Sequence, residues 1–87
     1  MRILYSGNVQ GVGFRFAVRS TASGYDVTGT VRNLPDGRVE LVAEGEKDEL
    51  EAFRLGIQDS GMGHFVRKEE ISWCDAANEF RGFEIAR

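Results

Sequence analysis

Apolar and polar residues follow regular intervals along most of the chain, and these intervals predict its secondary structure. Alternation over residues 3–6 predicts a first strand, which Gly7 ends. From Phe14 onward, apolar residues recur at helical spacing, which predicts a first helix over about residues 14–24. Gly24 is placed to end that helix as a left-handed C-cap, because glycine adopts positive φ at little cost.

Strict alternation in the middle of the chain predicts two strands joined by a tight turn. The strands cover residues 27–32 and 39–43. The connection contains Pro35, whose ring fixes its φ, and Gly37, which accepts positive φ. We therefore expect a β-hairpin, with Asn33 at the end of its first strand.

A second helix and two further strands complete the pattern. Acidic residues crowd the first turn of this helix, where negative charge complements the helix dipole, and Gly61 and Gly63 end it. Its buried stripe consists of Leu50, Phe53 and Ile57. Two apolar groups predict the last strands: Val66, Ile71 and Trp73, then Phe80, Phe83 and Ile85.

The order of these elements predicts an α+β fold, a ferredoxin-like α/β sandwich. In that arrangement both helices cover one face of an antiparallel sheet, in the order β-α-β-β-α-β, and here a short C-terminal strand follows. The hydrophobic fraction of 41% and the single proline favour a packed globule over a disordered segment. With no repeat or linker visible, we expect residues 1–87 to form one domain.

Net charge, the short apolar N-terminal run and the cysteine content argue against several partners and against a disulfide. The formal net charge of -3 argues against nucleic acid or acidic membranes, because both require clustered positive charge. The apolar run at residues 1–7 is too short for a secretory signal or a membrane span. Cys74 is the only cysteine, so no intrachain disulfide can form. We expect a cytoplasmic protein that works as a monomer, with no nucleic-acid or membrane partner.

The segment from the first strand to the first helix, residues 7–15, has the composition of an anion-binding loop. Gly11 and Gly13 allow backbone angles that are closed to other residues, so consecutive N–H groups can face one point. The helix start adds unpaired N–H groups and the positive end of its dipole. Arg15 adds a planar fork of donors that matches two phosphoryl oxygens. Taken alone, these residues fit a phosphate cradle and a plain strand-to-helix turn equally well.

Several kinds of phosphate chemistry do not fit this loop. It lacks the lysine and hydroxyl residue of a Walker A loop, and Val9 stands where a tyrosine-phosphatase loop has its cysteine. Cys74 is expected to be a structural thiol and His64 a solvated loop residue, so no zinc site is expected. Attack by water remains, without metal, cofactor or covalent intermediate. Such attack suits an acyl phosphate, because a carboxylate leaves readily.

A polar side chain must still position that water, and Asn33 is the candidate. Its amide offers one acceptor and two donors, and an uncharged group does not repel the phosphoryl oxygens. The alternative is that Asn33 only caps the hairpin turn, a common role for asparagine. The residues leave both interpretations open.

Residues 7–15 and 29–40 resemble the two signature segments of the acylphosphatase family, and the likeness covers essentially the whole chain. The resemblance implies metal-free and cofactor-free hydrolysis of an acyl phosphate to a carboxylate and inorganic phosphate. It assigns Arg15 to binding the phosphoryl group and Asn33 to orienting the water. Phosphate or sulfate can then occupy the loop. We expect the backbone N–H groups of Gln10, Gly11, Val12, Gly13 and Phe14 to share in phosphate binding.

Some features depart from this pattern or leave other functions open. Asn8, Ala17 and Thr30 differ from residues that are frequent in the family. Ferredoxin-like domains also serve as non-catalytic binding modules. A third hypothesis is a relative of the acylphosphatase-like domain of hydrogenase-maturation carbamoyltransferases, which act on carbamoyl phosphate. The chain length and the lack of zinc-finger cysteines favour a freestanding enzyme.

Overall fold

The computed structural model describes residues 1–75 and 78–86. The elements are β1 (Arg2–Gly7), α1 (Phe14–Ala22), β2 (Thr28–Asn33), β3 (Val39–Glu44), α2 (Lys47–Gln58), β4 (Val66–Ser72) and β5 (Phe83–Ile85). A short 3₁₀ turn, Gly63–Phe65, precedes β4. This order confirms the predicted ferredoxin-like α+β class. No helix in the described part of the chain is long and apolar enough to cross a bilayer.

The sheet has the strand order β4-β1-β3-β2-β5. The first four of these strands pair antiparallel, as predicted. β5 pairs parallel with β2, with Gly29 opposite Phe83 and Val31 opposite Ile85. This corrects the prediction of a wholly antiparallel sheet. β4 and β5 lie at opposite edges of the sheet and run in opposite directions. β2, the neighbour of β5, also runs opposite to β4, so β2 and β5 are parallel.

The helices pack against the sheet around one apolar core. Alternate residues of the central strands are fully buried, among them Ile3, Val31 and Leu41. α1 contributes Phe14, Val18 and Ala22 to the core, and α2 contributes its predicted stripe of Leu50, Phe53 and Ile57. The ends of the core strands therefore have fixed positions, and the loops that leave them start from fixed points.

Glu40 lies on the opposite face of the sheet and is nevertheless only 8% exposed. Arg2 Nε donates to Glu40 Oε2 at 2.8 Å, and Arg32 Nε donates to Oε1 at 2.7 Å. These contacts join β1, β3 and β2 through one carboxylate. Burial acts to raise the pKa of Glu40, but the hydrogen bonds from the two arginines outweigh it and hold that pKa below its usual value.

Several predicted element ends differ from the structure. α1 ends at Ala22 and not near residue 24, because the next residues continue in tight right-handed turns. The N–H of Gly24 donates to the carbonyl of Thr21 at 3.0 Å, and φ of Gly24 is not positive, so the predicted left-handed cap was wrong. β4 stops just before Trp73, and Phe80 lies outside β5.

Candidate active site

The loop between β1 and α1 is anchored at both ends. Val9 and Phe14 are buried in the core, whereas residues 10–13 between them are partly or fully exposed. The N–H of Asn8 donates to the carbonyl of Phe65 at 3.1 Å, which attaches the start of the loop to the turn before β4. The loop is thus a short arch between fixed points.

Two glycines give the arch its shape. Gly11 has a φ of 75° and Gly13 a φ of 85°, both in the left-handed region that favours glycine. Gly13 is also the N-cap of α1, where no side chain caps the helix and no acidic residue lies in the first turn. Within residues 1–75 and 78–86, the backbone N–H groups of residues 10–14 donate no hydrogen bond. These groups and the helix dipole make the loop a positive surface suited to an anion.

Arg15 lines a cavity of about 140 Å³ together with Gly11 and Gly13. The rest of the cavity wall is apolar and consists of Val9, Phe14, Phe16 and Ile85. Arg15 is half-buried, and its guanidinium has no hydrogen bond or ion pair with the described residues. A planar set of charged donors is therefore free to receive the oxygens of a ligand.

The side chain of Gln10 fastens the loop to the hairpin. Its Nε2 donates to the carbonyl oxygens of Leu34 and Arg38, both at 2.9 Å. A backbone hydrogen bond from Leu34 N–H to Arg38 O, 2.8 Å long, closes the same turn. From the sequence, Gln10 is a candidate only through its backbone N–H. The side-chain contact has no local signal, because it joins segments that meet only in the folded chain.

Asn33 lies at the same end of the sheet as the loop. It pairs with Val39 across the hairpin, and Val39 pairs with Tyr5 near the end of β1. Alternation along β2 places Asn33 on the same face as the buried Val31, which is the face that the helices cover. Asn33 Oδ1 is buried and accepts no hydrogen bond from the part of the chain that the structure describes.

The hairpin turn is closed by Asp36 and not by the Asn33 side chain. The carboxylate of Asp36 accepts from the N–H of Arg38 at 3.1 Å and from its Nε at 2.8 Å. The backbone hydrogen bond from Arg38 lowers the pKa of Asp36 below its usual value. Gly37 has a φ of 95°, as the turn sequence predicts. The Asn33 side chain is thus not needed to form the turn.

The structure brings the loop and Arg15 to one cavity, but Asn33 is not among the described residues that line it. Asn33 is linked to the loop through the next residue, Leu34, which accepts a hydrogen bond from Gln10. His64 is exposed and packs on the ring of its neighbour, and Cys74 is exposed. The described residues contain no cluster of three or more histidine, cysteine or acidic side chains able to hold a metal ion.

Fold and loop together define a class of protein, a small ferredoxin-like domain whose first strand-to-helix loop is suited to an anion. The family model described as Acylphosphatase matches residues 1–85 of this chain. An acylphosphatase from Salinibacter ruber is 44% identical over 82 residues, which cover 94% of this chain and 86% of the relative. The chain therefore belongs to the acylphosphatase family, and the resemblance predicted from its two signature segments is confirmed.

Solved structures agree with this assignment. The crystal structure of acylphosphatase from Bacillus subtilis matches with a TM-score of 0.89 and 32% identity, covering 99% of this chain and 96% of that one. HypF from T. kodakarensis matches with a TM-score of 0.83 and 29% identity, covering 99% of this chain but 11% of the other. The fold thus occurs both as nearly the whole of one protein and as a small part of another.

Proposed function

We propose that this chain hydrolyses an acyl phosphate to a carboxylate and inorganic phosphate. The observation that carries the proposal is the set of unpartnered donors at the start of α1. The backbone N–H groups of residues 10–14 and the Arg15 guanidinium have no acceptor in the described chain. The loop backbone holds its N–H donors in place, so they stabilise the charge on phosphoryl oxygens without having to reorganise during the reaction, and Arg15 adds charged donors. The names of the relatives support hydrolysis over phosphate binding alone.

Asn33 orients the attacking water in this mechanism. Its buried Oδ1 has no donor among the described residues, and an unsatisfied buried acceptor costs about 1–3 kcal/mol. Because Oδ1 has almost no exposed surface, the Asn33 side chain must rotate before a water molecule can donate to it, and that water is then held at the end of β2 beside the loop. An amide is a weak base, so Asn33 positions the water and does not take its proton.

The reaction then needs no other protein group. The water oxygen forms a bond to phosphorus, the bond between phosphorus and the acyl oxygen breaks, and the carboxylate leaves with the electron pair. A phosphoryl oxygen of the substrate accepts the proton from the water. Metal independence, a monomeric state and a cytoplasmic location stay predictions from the sequence.

Hydrolysis of benzoyl phosphate in the presence of a chelator tests the proposal. We expect turnover above the spontaneous rate and competitive inhibition by inorganic phosphate. Arg15→Ala should lower kcat/KM roughly 10²-fold, by analogy with the loss of one preorganised donor. Asn33→Ala should lower kcat and leave the inhibition constant of phosphate unchanged. Phosphate binding without turnover would contradict the proposed hydrolase activity and would support a non-catalytic binding module.

A further inference from the structure

Two exposed apolar side chains border the cavity beside the candidate phosphate loop. Phe16, in the first turn of α1, is 67% exposed, and Ile85, in β5, is 38% exposed. Both line the cavity that Gly11, Gly13 and Arg15 also line. Isolated apolar residues are common on protein surfaces, but this pair shares one cavity with the loop and the guanidinium.

We propose that Phe16 and Ile85 form the subsite for the acyl group and favour aromatic or branched apolar acyl groups over acetyl. This inference rests on the proposed function, because it places the other half of the same substrate. An acyl phosphate has a charged phosphoryl end and a carbonyl end that carries the variable group. With the phosphoryl oxygens on the N–H groups and Arg15, the variable group meets the part of the cavity that has no such donors. That part is apolar.

The fold explains why these two side chains reach the cavity. Phe16 directly follows Arg15, so adjacent helix positions present a ring and a guanidinium about 100° apart around the axis of α1. Ile85 arrives from β5, which pairs parallel with β2 and places Ile85 opposite Val31. The subsite is thus built from opposite ends of the sequence and has no local motif.

Neither side chain is required by the buried core. Phe14 and Val31 fill the core next to them, whereas Phe16 and Ile85 are exposed. Shortening an exposed side chain leaves no internal cavity, so Phe16→Ala and Ile85→Ala should fold. Loss of apolar contact with the acyl group then affects large acyl groups more than small ones.

The ratio of kcat/KM for benzoyl phosphate to kcat/KM for acetyl phosphate measures this selectivity. We expect the ratio to fall about 5-fold in Phe16→Ala and in Ile85→Ala, because each removes part of an open apolar wall. Phe16→Leu should retain most of the preference. Leu55→Ala is the matched control, since Leu55 is 53% exposed on α2 and does not line this cavity.

The outcomes separate the two proposals. An unchanged ratio in both variants, with folding verified by thermal melting, overturns the subsite but leaves the hydrolase intact. An equal loss of kcat/KM for both substrates also overturns the subsite, because the selectivity between acyl groups is then unchanged. A wild-type protein that hydrolyses neither substrate would reject the proposed function itself.

Discussion

Replacing Gln10 with alanine removes the link between the candidate phosphate loop and the hairpin. That link consists of the hydrogen bonds from Nε2 to the carbonyl oxygens of Leu34 and Arg38, both 2.9 Å long. The backbone N–H of residue 10 is retained in Gln10→Ala. The substitution therefore separates the positioning role of the side chain from any role of the backbone donor.

The expected loss of stability depends on the hydrogen bonds that the two carbonyl oxygens retain in Gln10→Ala. Gly37 N–H donates to Leu34 O at 3.1 Å, and Leu34 N–H donates to Arg38 O at 2.8 Å. Neither oxygen is left unsatisfied, so the expected loss is that of the hydrogen bonds alone, about 0.5–1.5 kcal/mol each. We expect the free energy of unfolding to fall by about 2 kcal/mol in total, which lowers the Tm of a domain this size by roughly 8–16 °C.

The same change should reduce activity. Gln10 holds the loop donors in place relative to Leu34, the neighbour of Asn33. Small misplacements of positioning groups are costly, so we expect kcat/KM for benzoyl phosphate to fall about 10-fold.

Urea denaturation and steady-state kinetics measure both effects. Gln58→Ala is the control, because Gln58 is exposed at the end of α2 and its amide forms no hydrogen bond with the described residues. If Gln10→Ala unfolds at the same urea concentration as Gln58→Ala, the link does not stabilise the fold. Normal kinetics in Gln10→Ala would show that it does not position the loop.

Two further substitutions test the sheet and the loop. Glu40→Gln should lower the free energy of unfolding by about 1–3 kcal/mol at pH 7, because charge-assisted hydrogen bonds are lost. The folded-state pKa of Glu40 is depressed, so its contribution is complete above the usual value of 4.5 and is lost as pH falls through the lower folded value. Denaturation of the wild type and of Glu40→Gln from pH 7 to pH 3 should show the difference between their free energies of unfolding becoming smaller. A difference that stays constant with pH would contradict this role of Glu40. In Gly13→Ala, the added methyl group lies near only Met62 Cε, at 4.0 Å. The substitution should therefore lower the free energy of unfolding only by the cost of a positive φ in alanine, about 1–2 kcal/mol. A thermal melt unchanged from the wild type would mean that the loop does not hold this conformation.

Much of the fold was predictable, because local patterns and tertiary packing agree. The alternation in β1, β2 and β3 marks the residues that fill the core, and Pro35 and Gly37 specify the turn between the hairpin strands. The parallel pairing of β5 was not predictable, since it depends on which edge of the sheet is open after β4 is placed. The burial of Glu40 was also missed, because it comes from arginines on two neighbouring strands.

Some features of the candidate site were also predictable from the sequence, and others were not. Gly11 and Gly13 signal their positive φ through residue type, and Arg15 lines the cavity that they form. The contacts of Gln10 and the approach of Ile85 have no local signal, because each joins segments far apart in sequence. Sequence therefore indicates the groups that carry charge, whereas the structure adds the residues that position them or contact the remainder of a ligand.

A heteronuclear NMR titration of the backbone amides with inorganic phosphate shows directly where the protein binds an anion. We expect the largest saturable shifts on the N–H groups of residues 10–14, and we expect Arg15→Ala to weaken phosphate binding roughly 10-fold or more. Saturable shifts concentrated elsewhere on the surface, or equal affinity in Arg15→Ala, would contradict the assignment of this loop as the phosphate site.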